Sequence, residues 1–337
     1  ELEKDDNFCD QDVLRRSCYW AIGRLARSRP DLAEQLLEEG KGDMIGMARA
    51  LIADPEWLDK VRDGSFERVR PCLGLNQDCR SFAPHLHCAV NPEAGRELVT
   101  PFNGAAPATG SRAVAIIGAG PAGLELARSV ALRGHRPVIF EASDGIGGQF
   151  LYAASVPHRQ GLRKLIDFYQ TELRRLAVPI HLERRINGPQ DLTDHFDDVV
   201  VAIGAQAKPV PEEFAGARVM RWFDILAEGA PAPMGAGRAV MIDDGTGFWW
   251  NYGVAEALVV AGWQVTYVTP SAAVAHQIPV ESVGPMLARL GRGITRFRVL
   301  GQLFGVADGC AQIIDMTSGE VEEIACDLVV MQTGRAP

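Results

Sequence analysis

Gly118, Gly120 and Gly123, with Glu141 one strand further on, are the residues of this chain whose types and spacing speak most directly of chemistry. A nucleotide diphosphate needs backbone N–H groups, room for its oxygens, and an acceptor for the ribose hydroxyls. Gly118 allows a tight turn and Gly120 lets the backbone approach a pyrophosphate. Gly123 lets a helix pack close to its sheet, and the start of that helix, opened by Pro121 and continued by Ala122, faces the phosphates with the free N–H groups that follow the proline. Glu141 is placed to accept from an adenosine ribose. Behind it, Gly145 to Gln149 forms a glycine loop in which Gly148 and Gln149 could close over a cofactor. The alternative, a plain βαβ turn, leaves the acid at the strand end unexplained.

Three further constellations carry candidate chemistry. Gly23, and the run Gly46-Met47-Ala48-Arg49, are glycine turns beside cations. Arg49 offers a planar fork for phosphate oxygens, or is a surface arginine next to a turn. Cys72, Cys79 and Cys88 lie in an irregular stretch with His85 and His87 close by, a composition that suits a metal or iron–sulfur site. The histidines are equally read as loop hydrogen-bonders. Finally, Asp243-Asp244-Gly245-Thr246-Gly247-Phe248-Trp249-Trp250 stands where a second dinucleotide turn is expected. Two carboxylates there oppose a pyrophosphate, since like charges ~4 Å apart repel by roughly 4 kcal/mol at an effective dielectric near ~20. This module is read as retained in structure but poor at binding NAD(P)H, with its tryptophans in a core or interface.

The elements that must position these residues follow from hydrophobic pattern and punctuation. Ala113 to Ile117 reads as a buried strand, Leu124 to about Leu132 as a helix, and Pro137 to Phe140 as a second strand ending on Glu141. Upstream, Cys18 to Gly23 and Asp43 to Met47 read as strands. Asp31 to Glu39 and Pro55 to Arg62 read as helices, with Pro30 and Gly40 at the first helix's ends. Two βα units with short connections make residues 1–70 the tail of a (β/α)8 barrel. The Pro/Gly/Ala-rich stretch Thr100 to Ser111 marks a domain boundary. Downstream come a helix over Gly161 to Leu176, a strand near Pro179 to Leu182, and a buried strand over Asp198 to Gly204. The embedded module has a strand at Arg238 to Asp244, a helix at Tyr252 to Val260 and a strand at Trp263 to Val268. Asp327 to Arg335 is a last strand-to-glycine turn.

Composition bounds the function classes. The chain has 337 residues, 47% hydrophobic and 23% charged, with a net charge of −9, room for several cores and a poor match to nucleic acid or membrane surfaces. No apolar run is long enough to span a bilayer. The acidic start ELEKDDNF lacks an apolar leader segment and is not read as a signal peptide. Seven cysteines, with no CxxC among them, fit a reducing, cytoplasmic setting rather than a disulfide framework.

With these residues in hand, the chain resembles the flavin oxidoreductase family of trimethylamine dehydrogenase and bacterial 2,4-dienoyl-CoA reductase. The resemblance rests on GDMIGMARALIADPEWLDKVRDG, RPCLGLNQDC, CAVNPEAGRE, IIGAGPAG and EASDGIGGQ, in that order. It implies an α/β chain. Residues 1–70 would end an FMN-binding barrel and 71–111 would be a cysteine loop and linker. Residues 112–205 with 327–337 would form an FAD- or ADP-binding Rossmann-like domain, and 206–326 an inserted NAD(P)-binding-like domain. By resemblance, Gly23, Gly46 and Arg49 match the FMN phosphate site, and Cys72, Cys79 and Cys88 match ligands of a [4Fe–4S] cluster. Gly118, Gly120, Gly123 and Glu141 match the adenosine-diphosphate site. Leu75 stands where the second cluster cysteine belongs, and the step from Cys79 to Cys88 is short; both argue against a standard cluster.

The resemblance implies the C-terminal part of an enzyme, cut short at both ends, that oxidises a small substrate at FMN and passes electrons onward. The Asp243-Asp244 turn favours the amine dehydrogenase or N-demethylase branch, with a redox-partner protein as acceptor. Alternatives are an NADPH-dependent enoate reductase like 2,4-dienoyl-CoA reductase, and a stand-alone FAD/NAD(P)H electron-transfer subunit. Catalytic residues are not identified, because the resemblance places them in the front of the barrel.

Overall fold

The computed structural model describes residues 30–41, 43–80, 86–99, 108–216, 218–307 and 309–336. The expected strand at Cys18 to Gly23, with Gly23 itself, lies outside the described residues, as do His85 and most of the linker. The chain divides into two compact units, Glu1–Ala105 with Asp167–Arg175, and Ala106–Ile166 with Leu176–Pro337.

In the first unit, helices α1 (Pro30–Glu38), α2 (Arg49–Ala53) and α3 (Trp57–Arg62) are short. Gly40 and Gly64 end α1 and α3 at φ 63° and 72°, conformations costly for any residue with a Cβ. Trp57, Ala50 and Val69 form a small core. Beneath it Asp54, 3% exposed, accepts from Lys60 Nζ at 2.7 Å and from the Arg70 N–H at 2.7 Å. The charge pair is thus buried with its lone pairs used, the condition under which a buried ion pair is tolerated. Asn91 donates to the Ile52 carbonyl at 2.8 Å and Arg70 to the Val90 carbonyl at 2.5 Å, tying the cysteine-bearing loop to α2.

Two expectations for this unit are corrected. Residues 43–47 form no strand, and Met44 is 86% exposed. A strand exists through its ladder, and among the described residues none pairs with this stretch. The helix expected from Pro55 starts at Trp57, because the Asp54 carboxylate and carbonyl engage the N–H groups of Glu56 and Trp57 at 3.1 Å each. The helix α2 was not anticipated.

The second unit opens with β1 (Ala113–Ile117), α4 (Pro121–Leu132) and β2 (Arg136–Phe140). Next come α5 (Phe150–Ser155), α6 (Arg163–Arg175), whose residues from Asp167 onward count with the first unit, then β3 (Ile180–His181) and β4 (Asp198–Val201). The strands form one parallel sheet in the order β3-β2-β1-β4. Strand β4 was expected to be buried, yet Val199, Val200 and Val201 are 52%, 37% and 66% exposed. Among the described residues it pairs with β1 alone, and its apolar sequence shows only that it can be buried.

A second module follows: β5 (Gln206–Ala207), β6 (Val219–Arg221), α7 (Trp222–Glu228), β7 (Arg238–Ile242), α8 (Trp249–Val260), β8 (Gln264–Val268), α9 (Val280–Leu290) and β9 (Ile294–Arg298). An antiparallel sheet of β10 (Gly301–Ala307), β11 (Cys310–Asp315) and β12 (Val321–Ala325) then precedes β13 (Leu328–Met331) and β14 (Arg335–Ala336). The module's parallel sheet has the order β6-β13-β7-β8-β9. Its core gathers Trp222, Tyr252, Trp263 and Tyr267.

The domain boundary expected at residue 327 is corrected here. Strand β13 pairs with β6 and β7 inside the second sheet, so the return toward the first module begins only after Met331. There β14 pairs antiparallel with β5, joining the exit and entry chains of the second module. The strand's apolar run fits either sheet equally, so its sequence carried no choice between them.

Candidate nucleotide site and its neighbours

Strand β1 ends at Gly118, whose φ of 110° turns the chain sharply; a Cβ there would lie 2.5 Å from the Ala202 carbonyl oxygen. A Cβ on Gly123 would lie 2.0 Å from the Gly118 carbonyl, so this glycine brings α4 down onto the turn. Gly120 is different. A Cβ there meets no protein atom within 4 Å. Its backbone is extended, at φ −73° and ψ 174°, a conformation open to any residue. Protein packing therefore gives no reason for glycine at 120, and the space beside its Cα is open. Pro121 occupies the first helical position, where an N–H has no helical partner anyway. The Leu124 N–H makes the first helical bond, to the Gly120 carbonyl at 3.0 Å. Ala122 and Gly123 thus present the N–H groups at the positive end of a 12-residue helix.

Glu141 stands at the end of β2 as expected, and the fold gives its carboxylate a structural duty as well. Oε2 accepts from the Ala119 N–H at 2.7 Å, and Oε1 from the Ser143 N–H and hydroxyl at 2.8 Å each. Burial alone pushes the carboxyl up, but the bonds from Ala119 and Ser143 outweigh it and hold the pKa below the usual range. The acid is thus ionised at neutral pH, with remaining lone pairs available to hydroxyl donors. Neither Ala119 nor Ser143 was singled out from sequence; a serine two residues beyond the acid, able to fold back on it, was the available signal. Gly147 donates to the Ala119 carbonyl at 2.8 Å, and a Cβ on Gly148 would come within 3.3 Å of Gly120 Cα. Gln149 donates through Nε2 to the Ala205 carbonyl. The glycine loop therefore packs against the phosphate turn, bringing Gly148 and Gln149 together with Gly120.

The second module repeats the βαβ plan but not the open turn. The Asp243 carboxylate accepts from the Gly245 N–H at 3.1 Å and from Asn251 Nδ2. Asp244 accepts from the Thr246 N–H at 3.0 Å, its hydroxyl at 2.7 Å, and Asn251 Nδ2 at 2.9 Å. The Gly245 and Thr246 N–H groups are thus held by the turn's own carboxylates. Asp243 is 4% exposed. Burial, with the neighbouring Asp244, pushes its carboxyl up to about 6, while Thr246 and Asn251 outweigh burial at Asp244 and hold its pKa below the usual range. Gly247 adds crowding, since a Cβ there would strike the His276 ring. The tryptophans pack on cations: the Arg159 guanidinium lies 3.7 Å from the Trp249 ring centroid, and Arg335 lies 4.9 and 5.1 Å from those of Trp222 and Trp250.

In the first unit Arg49 opens α2 and donates through Nη1 to Asn76 Oδ1. A Cβ on Gly46 would meet nothing within 4 Å. A guanidinium with one donor held by Asn76 and its other donors open, on a segment whose glycine backbone is also open, fits a phosphate monoester such as that of FMN. The thiols fit a cubane less well. Cys72, Cys79 and Cys88 are free and partly buried, and Leu75 offers no donor. Among the described residues no group of three or more His, Cys, Asp or Glu side chains is disposed to hold a metal ion. Burial pushes the Cys79 and Cys88 thiols up, aided at Cys79 by the other two thiols.

Two Rossmann-type modules in one unit, the first with an open diphosphate turn and an ionised acid at its second strand, define a tandem dinucleotide fold of the flavoprotein kind. The family described as an NAD(P)-binding Rossmann-like domain matches residues 116–177. The metal reductase of Desulforamulus reducens is 41% identical over 208 residues, covering 59% of this chain and 30% of its own length. The N,N-dimethylglycine/sarcosine dehydrogenase of Chromohalobacter salexigens is 36% identical over 323 residues, covering 91% and 46%. The solved structure of histamine dehydrogenase from Rhizobium sp. 4-9 superposes with a TM-score of 0.82 at 25% identity, over 92% of this chain and 47% of that one. This chain belongs to the flavin oxidoreductase family of trimethylamine dehydrogenase and 2,4-dienoyl-CoA reductase. It spans about half the length, or less, of the curated relatives it matches. No described helix is long and apolar enough to cross a membrane.

Proposed function

We propose that the chain is the C-terminal part of a flavin-dependent dehydrogenase that oxidises a small amine, or removes an N-methyl group, and passes the electrons to a separate redox protein in the cytoplasm. In this reading residues 1–70 complete a barrel in which Gly23, Gly46 and Arg49 hold the FMN phosphate. FMN, when bound, supplies the acceptor for substrate electrons. The Gly118–Gly123 turn holds the diphosphate of FAD or ADP, and Glu141 holds the ribose. The chain's own share of the work is therefore binding and orientation: Gly120 leaves room for phosphate, the start of α4 supplies N–H donors, and Glu141 fixes the sugar while bracing the turn through Ala119. The Cys72–Cys88 loop holds no cubane in this reading, and no electron step is routed through it.

The observation that carries the choice of branch is the second module's turn. Asp243 and Asp244 engage the N–H groups at Gly245 and Thr246 and put two carboxylates into the turn between β7 and α8. That disfavours an NADPH-fed reductase. The test is anaerobic reduction of the full-length protein, followed by flavin absorbance. Bleaching by secondary or tertiary N-methylamines, with NADPH and NADH inert at the same concentration, is the expected result. Rapid bleaching by NADPH alone would replace this reading with the enoate-reductase alternative. FAD as the sole flavin would favour the stand-alone electron-transfer subunit.

A further inference from the structure

The loop between Cys72 and Cys79 makes a side-chain contact with the segment that opens α2. It carries Asn76, whose Oδ1 accepts from Nη1 of Arg49, 27 positions earlier. Asn76 sits at φ 57°, flanked by Gly74 at 70° and Asp78 at 64°, a tight course closed by the Cys79 N–H on the Gln77 carbonyl at 2.7 Å. Asparagine tolerates the left-handed region better than most residues, so the backbone course and the side-chain contact favour the same residue.

The chemistry of the contact matters more than its existence. Arginine is commonly held in place by carboxylates, which also cancel its charge. Here the partner is a neutral amide. The nearby buried acid, Asp54, is already occupied by Lys60 and the Arg70 N–H. Among the described residues no carboxylate pairs with Arg49. One donor of the fork is fixed, so side-chain freedom is lost before any ligand arrives. The remaining donors, and the full positive charge, stay available.

We propose that Asn76 is a positioning residue: it orients the Arg49 guanidinium as a preorganised receptor for the FMN phosphate without neutralising it. This rests on the reading of Arg49 as a phosphate ligand. It also gives the cysteine loop a reason to keep its shape although Leu75 interrupts the thiol series.

Riboflavin, which lacks the phosphate, separates positioning from mere loop stability. The full-length protein is stripped of FMN and titrated with FMN and with riboflavin, using wild type, Asn76→Asp, Asn76→Ala and Arg49→Ala. Bound adenine nucleotide serves as the check on folding. Asn76→Asp, which keeps a hydrogen bond to Arg49 but cancels its charge, is expected to lower the FMN-over-riboflavin preference on the order of tenfold. Asn76→Ala is expected to lower it less, and riboflavin affinity is expected to stay unchanged in both. A purely structural asparagine predicts the reverse order, with the charged bond holding the loop at least as well and both flavins moving together. Wild-type preference in Asn76→Asp, alongside a lost preference in Arg49→Ala, overturns the proposal. Wild-type preference in Arg49→Ala itself overturns the phosphate reading beneath it. If Asn76→Asp loses its adenine nucleotide, Asn76→Ala decides by the same ratio.

Discussion

At the scale of single residues, Gly120 and Glu141 allow the sharpest tests. Because an added Cβ at 120 meets no protein atom within 4 Å, Gly120→Val is expected to fold with near wild-type thermal stability. It is expected to lose FAD or ADP altogether, since the branched side chain fills the phosphate's place. Calorimetric titration of the folded variant checks this; unchanged affinity would mean that the glycine serves packing alone. Glu141→Gln keeps an acceptor for one of Ala119 and Ser143 and loses charge. We expect it to weaken adenine-nucleotide binding by roughly 1–2 kcal/mol, as for one charge-assisted bond. The placement of these two residues, at the turn after β1 and at the end of β2, was legible in the sequence because the glycine spacing and the strand-end acid have local causes. The bracing of Glu141 by Ala119 and Ser143 was not, because it depends on the path of the loop beyond β2.

At the scale of elements, two buried carboxylates behave in opposite ways. Asp54 joins α3 to the segment entering the cysteine loop, and Asp54→Ala would leave the Arg70 N–H unsatisfied and Lys60 with Glu56, 3.3 Å away, as its remaining carboxylate. A loss of about 1–3 kcal/mol is expected, read as a lowered unfolding midpoint in denaturant. Asp243, at the end of β7, has a pKa raised to about 6 by burial and by Asp244. A folded-state pKa above the unfolded value means the folded state holds the proton more tightly. The resulting stability is fully present below the unfolded pKa and is lost as pH rises through about 6. Asp243→Asn keeps an oxygen for the Gly245 N–H and carries no charge at any pH. Its advantage over wild type should therefore grow between about pH 4 and 7 and level off above, reaching roughly 1–3 kcal/mol. Thermal melts of both proteins across that range check it; a constant difference would show that Asp243 does not titrate in the window. The sequence marked this acid pair as an obstacle to phosphate. That its oxygens would occupy the turn's N–H groups emerged only from the folded turn.

At the scale of the whole molecule, the family assignment and the open first turn make flavin chemistry the expectation, and Leu75 bears on electron transfer. Iron and sulfide analysis of the anaerobically purified full-length protein is expected to find fewer than four irons per chain; four, with a reducible cluster signal, would show that another donor completes the set. What the sequence determined by itself was the local plan. Regular spacing placed β1, α4 and β2 to within a few residues, and the family resemblance marked Leu75 in the cysteine series without any structure. What only the tertiary structure decided was membership: which sheet claims Leu328–Met331, whether the valines of β4 are covered, whether residues 43–47 find a ladder, and which side chain meets Arg49. The physical reason is common to all four. Helix starts, glycine turns and capping bonds are set by contacts within a few residues. A strand's place in a sheet, or a guanidinium's partner 27 positions away, depends on groups that only the folded chain brings together.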